Sequence, residues 1–188
     1  ISIRLVGSEM CIRDSINTLH PDHQSIWIGE SAGGGLATGL VVDKEYLEKP
    51  DNLILLSPWL DLSDGFEDKK FFKNSDVTII IEGMFEVGEF YAGDYGAKNP
   101  ILSPVYADVD NFPDVLIQVC TEELLYNDAV EFVKKLEDKN VNVELQTWDG
   151  LWHAWQFFPI REAYEALEKI VEYILSLIHI SEPTRRIE

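Results

Sequence analysis

SIWIGESAGGGLA, residues 25–37, is the stretch that decides the fold. Its first four residues are an apolar run of strand length that ends at Gly29, and residues 32–42 suit a helix. Between them lies Gly29-Glu30-Ser31-Ala32-Gly33, a G-x-S-x-G sequence at a strand-to-helix junction. So tight a turn forces the serine into strained backbone angles, and flanking glycines let neighbouring chain approach without a Cβ clash. The hydroxyl is thereby lifted above the end of the sheet. The helix starting at Ala32 directs free N–H groups and its positive dipole end to the same place. Ser31 is thus the candidate nucleophile and the Ala32 N–H the candidate oxyanion donor. A phosphate-binding loop would want a lysine or the order G-x-G-x-x-G, and neither follows this strand.

Outward from this junction, strands alternate with helices. Residues 53–56 (LILL) form a second apolar run, closed by Ser57 and Pro58, and residues 114–119 (DVLIQV) a third, nearly continuous in apolar side chains as a strand buried on both faces should be. Ala129, Phe132, Val133 and Leu136 keep the spacing of one helical face, with Asn127 or Asp128 placed to cap its start. Val141, Val143 and Leu145 alternate with polar residues as a fourth strand. Ala163, Leu167, Ile170, Val171 and Ile174 define a last amphipathic helix. Residues 61–111 read as an insertion with one helix near 80–91. The order β-α-β-α-β-α-β-α predicts an α/β fold, a mostly parallel sheet with helices on both faces.

A serine hydroxyl is a weak nucleophile until a base removes its proton, and that base belongs on a loop after a later strand. His153 follows the strand ending at Trp148 across a short loop and precedes the last helix; His20 and His23 come before the nucleophile strand, and His179 lies near the C-terminus. The imidazole in turn needs a carboxylate at the end of the preceding strand. Glu122 and Glu123 both stand there, and spacing alone does not choose between them.

The chain has 188 residues with 15 basic and 34 acidic side chains, a net charge of −19. Such a field repels phosphate backbones and anionic lipid, which argues against nucleic acid and membrane-surface partners. No apolar run approaches the roughly 18 residues of a membrane span. No cluster of ligand residues suggests a metal, and no motif suggests a nucleotide or other cofactor.

The two ends stand apart. One stretch of DNA that encodes Glu9 to Ser15 on one strand encodes Leu175 to Ser181 on the other, and it resembles a sequencing-library adapter. Residues 1–15 and 175–188 are therefore expected to be non-native, leaving residues 16–174 as the protein's own. Of two cysteines, Cys11 falls in one of these ends and Cys120 stands alone. No internal disulfide is then available, which favours a reducing compartment and a cytoplasmic location.

Several blocks in order resemble the hormone-sensitive-lipase-like esterases and lipases of the α/β-hydrolase fold. They are GESAGGGLA at residues 29–37, LLSPWLDL at 55–62, NPILSPVYAD at 99–108, LIQVCTEELLYNDA at 116–129 and TWDGLWHAWQFF at 147–158. The resemblance implies that residues 16–174 are the C-terminal part of one α/β-hydrolase domain, without the first half of its sheet or its cap. It implies a Ser31, Glu123, His153 triad, with Glu122 as the alternative acid. It implies hydrolysis of small-molecule esters of short to medium acyl chains through an acyl-enzyme. Trp59, Trp152, Trp155 and Phe157 are candidates for a substrate pocket and equally for the core. The family's His-Gly-Gly-Gly oxyanion segment does not occur here, and losing one such donor costs about 2.7–4 kcal/mol in the transition state. The chain as it stands is expected to be a weak catalyst. Two other functions share the scaffold: a non-catalytic ligand-binding protein and a serine peptidase. The oligomeric state has no signal in the sequence.

Overall fold

The computed structural model describes residues 24–45, 49–63 and 76–181. The expectations for residues 1–15, and for His20 and His23, lie outside them. Four strands, β1 (Ile26–Glu30), β2 (Asn52–Leu56), β3 (Asp114–Cys120) and β4 (Val143–Trp148), pair in parallel in the order β1-β2-β3-β4. Between them run α1 (Ala32–Val42), α2 (Ile81–Ala92), α3 (Tyr126–Asp138) and, after β4, α4 (Arg161–Ser181). The α/β architecture and element order expected from periodicity are those observed. Among the described residues no helix is long and apolar enough to cross a membrane.

The two central strands explain the sheet's stability. β2 is buried at every position and β3 at all but its first. Because side chains alternate across a strand, each apolar run feeds two cores. Leu53, Leu55, Val115, Ile117 and Val119 pack on one face with Ala129, Phe132 and Leu136 of α3. Ile54, Leu56 and Leu116 pack on the other with Ile170 of α4. Phe112 meets Phe132 edge-on, with ring centroids 5.8 Å apart. A further cluster joins Cys120 and Trp155 to Ala163 and Ala166 at the head of α4.

One local expectation needs correction. Neither Asn127 nor Asp128 caps α3: the cap position is Leu125, without a side-chain cap bond. Asp128 instead accepts the Asp61 N–H at 3.2 Å, so a tertiary contact has drawn away the side chain that local propensity assigned to the helix end. Of the two readings open for Trp155, the structure shows the core: it has no exposure and its ring centroid lies 5.2 Å from that of Trp148.

Helix α1 is held against the insertion by its glycines. A Cβ on Gly35 would stand 2.3 Å from the Trp59 carbonyl oxygen, and one on Gly39 2.2 Å from that of Ile101. Substituting Gly39→Ala should cost about 1–3 kcal/mol of overpacking against about 1 kcal/mol of gained helix propensity, so the urea midpoint is expected to fall. Gly83→Ala in α2, where an added Cβ meets nothing within 4 Å, is expected to raise it.

Candidate active site

Parallel strands deliver their C-terminal ends to one edge of the sheet, where open α/β folds place their sites. Ser31 follows β1, Ser57 follows β2, Glu123 sits in the turn after β3, and His153 in the loop after β4. Residues far apart in sequence thus meet within a few ångströms.

Ser31 has φ 51° and ψ −122°, a conformation that costs a non-glycine residue about 1–3 kcal/mol. Backbone bonds hold it there. Its N–H donates to the Leu56 carbonyl at 2.9 Å, and its own carbonyl accepts from Gly34, Gly35 and Trp59 at 3.0, 3.2 and 2.9 Å. Gly29 permits the turn, since a Cβ there would lie 2.6 Å from the Gly33 carbonyl oxygen. With the Gly34 and Gly35 N–H groups bound to Ser31, Ala32 and Gly33 supply the donors at the head of α1 that have no intrahelical acceptor.

His153 is 7 % exposed, and its Nε2 lies 2.9 Å from Ser31 Oγ. Its Nδ1 lies 3.4 Å from Glu123 Oε1. Glu123 has no solvent exposure. Its other oxygen accepts the Ser57 hydroxyl at 2.9 Å and the Cys120 N–H at 3.0 Å. Burial pushes the Glu123 carboxyl above its ordinary range, opposed by the hydrogen bond and charge of His153 and by the Cys120 and Ser57 donors. Burial also raises the neighbouring Cys120 thiol. Glu122, the alternative acid, points elsewhere: its carboxylate accepts the Gly150 N–H.

Sequence reasoning missed two groups at this site. Ser57, fully buried at φ 46°, donates to Glu123 and lies 3.4 Å from the Ala154 nitrogen, joining acid and histidine loops. Its position at the end of the strand beside β3 was the available signal. Glu30 places Oε1 3.6 Å from His153 Nε2, on the side of the imidazole that faces Ser31.

Beside Ala32 opens an apolar pocket of about 160 Å³, lined among others by Leu36, Trp59, Val87, Tyr91 and Leu102. Of the sequence-nominated aromatics, Trp59 lines this pocket. Trp152 packs edge-on against Phe158 at 5.3 Å, and Phe157 is 68 % exposed. Among the described residues no group of three or more His, Cys, Asp or Glu side chains is arranged to hold a metal ion.

Comparison with known proteins identifies the family. The sequence pattern of the alpha/beta hydrolase fold family matches residues 12–157. An esterase of Acinetobacter venetianus is 32 % identical over 154 residues, covering 79 % of this chain and 51 % of that protein. An acetyl-hydrolase of Streptomyces hygroscopicus is 26 % identical, covering 69 % of this chain and 44 % of that one. This chain therefore spans about half the length of these relatives. A crystal structure of an esterase from the bacterial hormone-sensitive lipase family superposes with a TM-score of 0.78 at 27 % identity, covering 88 % of this chain and 58 % of that one. A hormone-sensitive lipase homologue from a metagenome library gives 0.75 at 32 % identity, covering 80 % and 53 %. With most of its length matched in this way, the chain belongs to the alpha/beta hydrolase fold family, alongside esterases of the hormone-sensitive-lipase type.

Proposed function

We propose that this chain carries the catalytic centre of a serine carboxylic ester hydrolase, with Ser31 as nucleophile, His153 as base and Glu123 as the acid that orients it. The observation that carries the reading is the 2.9 Å approach of His153 Nε2 to Ser31 Oγ while Nδ1 faces a buried carboxylate. In the first step Ser31 Oγ attacks the acyl carbon and His153 takes its proton. Negative charge on the former carbonyl oxygen falls toward the Ala32 N–H and the head of α1. The C–O bond to the alcohol breaks, and the imidazolium returns its proton to that leaving oxygen. Water then attacks the acyl-enzyme with the same base, releasing acid and free Ser31. The apolar pocket beside Ala32 supports a short to medium acyl chain.

The direct test is a fluorophosphonate probe followed by peptide mapping. Labelling is expected at Ser31 and is expected to vanish in His153→Ala; a folded chain that takes no label would favour the ligand-binding alternative.

The two acids separate by substitution. Glu123→Gln is expected to slow labelling by about 10⁴-fold, as loss of the orienting carboxylate does in serine hydrolases generally, and Glu122→Gln by no more than a few-fold. The same variant reports on burial. Because the folded-state Glu123 carboxyl titrates above its ordinary value, its contribution to stability is full below the unfolded pKa and is lost as pH rises through the folded one. Glu123→Gln removes that loss, so its stability relative to the parent chain should grow from pH 4 to pH 8 in urea titrations.

The pocket's role is tested with p-nitrophenyl esters. Leu36→Trp should lower hydrolysis of the butyrate more than that of the acetate, and an unchanged ratio would remove the pocket from substrate binding.

A further inference from the structure

Asp76 stands just before α2, distant in sequence from the acid turn and the histidine loop, yet it is only 5 % exposed. A buried carboxylate is tolerated where donors satisfy it, and here its two oxygens hold different parts of the molecule. Oδ2 accepts the N–H of Leu124 at 3.3 Å, one residue past Glu123. Oδ1 accepts the Thr78 N–H at 2.9 Å, the Thr78 hydroxyl at 2.7 Å and the Ile79 N–H at 3.4 Å. The Thr78 hydroxyl oxygen lies 3.4 Å from the carbonyl oxygen of His153 itself. The hydroxyl proton of Thr78 serves Asp76, so its oxygen meets the His153 carbonyl by contact alone; residues 76–78 thus lie between the acid turn and the histidine loop, outside the Ser31, His153, Glu123 group. The same segment leads directly into α2, whose Val87 and Tyr91 line the apolar pocket.

We propose that Asp76 is a positioning residue for this site: through Leu124 on one side and Thr78 on the other, it fixes the distance between Glu123 and the His153 imidazole. That distance, 3.4 Å from Nδ1 to Oε1, is at the long end of hydrogen-bond range. A small shift of either loop breaks the bond, and misplacement by about 1 Å can cost about 10²-fold in rate. The proposal rests on the triad assignment above. Asp76→Asn is a discriminating change. The amide has one acceptor oxygen where the carboxylate has two, so it can serve Thr78 or Leu124 but not both, and its NH₂ then faces an N–H donor.

The experiment is NMR of the full 188-residue chain with isotope-labelled histidine, the His153 Nδ1–H signal being identified by its absence in His153→Ala. Asp76→Asn and Thr78→Val are expected to move that signal upfield or broaden it, and Thr78→Ser, which keeps the hydroxyl, to restore it. Phosphonylation of Ser31 should slow about tenfold in the first two variants and recover in the third. A folded Asp76→Asn chain with an unshifted imidazole signal overturns the proposal. Should that variant not fold, the Thr78 pair decides alone, and a Thr78→Val signal like that of the parent overturns it equally. Inert Ser31 in the parent chain would instead sink the nucleophile assignment, with the imidazole comparison still judging Asp76.

Discussion

Glu123 is a carboxylate with no solvent exposure, and the end of the sheet is arranged around its satisfaction. An unpartnered charge in that position would be costly by several kcal/mol. Its partners come from three consecutive strand ends: the Ser57 hydroxyl after β2, the Cys120 N–H that closes β3, and the His153 imidazole after β4. None can be withdrawn without leaving the charge short of a donor. The need to solvate one buried group from within therefore fixes the relative heights of three loops, and Ser31 on the fourth strand end meets the imidazole they present.

Backbone strain has gathered at the same place. Of the five non-glycine residues at positive φ among the described residues, Ser31, Ser57 and Ala154 lie in this cluster. Such conformations persist only where surrounding bonds over-determine them. Ser31 illustrates how: its N–H and carbonyl are tied to Leu56, Gly34, Gly35 and Trp59, so relaxing its φ would break several bonds at once. The buried apolar strands β2 and β3 supply the stability against which this strain is held, which is why the site lies where their rigid ends meet.

How much of this was legible in the sequence depends on the range of the interaction. The strands and the helices came through because period and apolar continuity are local properties, and the strained turn at Ser31 came through because it writes its requirement for glycine into adjacent positions. His153 was placed by topology alone. Glu122 and Glu123 were not separable by spacing, since a turn decides which faces inward; Glu122 ends on the Gly150 N–H and Glu123 on the imidazole. Ser57 showed only its place at a strand end and Glu30 only its place beside Ser31, because the partners of both lie on other loops; the bonds of Asp76 to Thr78 and Ile79 are local, but its reach to Leu124 is not. The cap assigned to Asn127 or Asp128 failed for the same reason, with Asp128 taken by the distant Asp61 N–H.

The glycines of α1 show how packing and chemistry share one cause. The elbow needs Gly29 so that the chain can pass Gly33, but Gly35 and Gly39 serve a different end: they let the helix sink onto the carbonyls of Trp59 and Ile101. A helix so seated contributes Leu36 and Leu40 to the walls of the pocket beside Ala32, which Trp59, Leu62 and Leu102 complete. Larger side chains at Gly35 and Gly39 would hold the helix off and move the pocket away from Ser31. The depth at which α1 lies thus sets both the core contact that keeps Ser31 in its strained state and the apolar volume that opens next to it. Ser31 directly precedes Ala32 in that pocket's wall because both stand at the start of one helix.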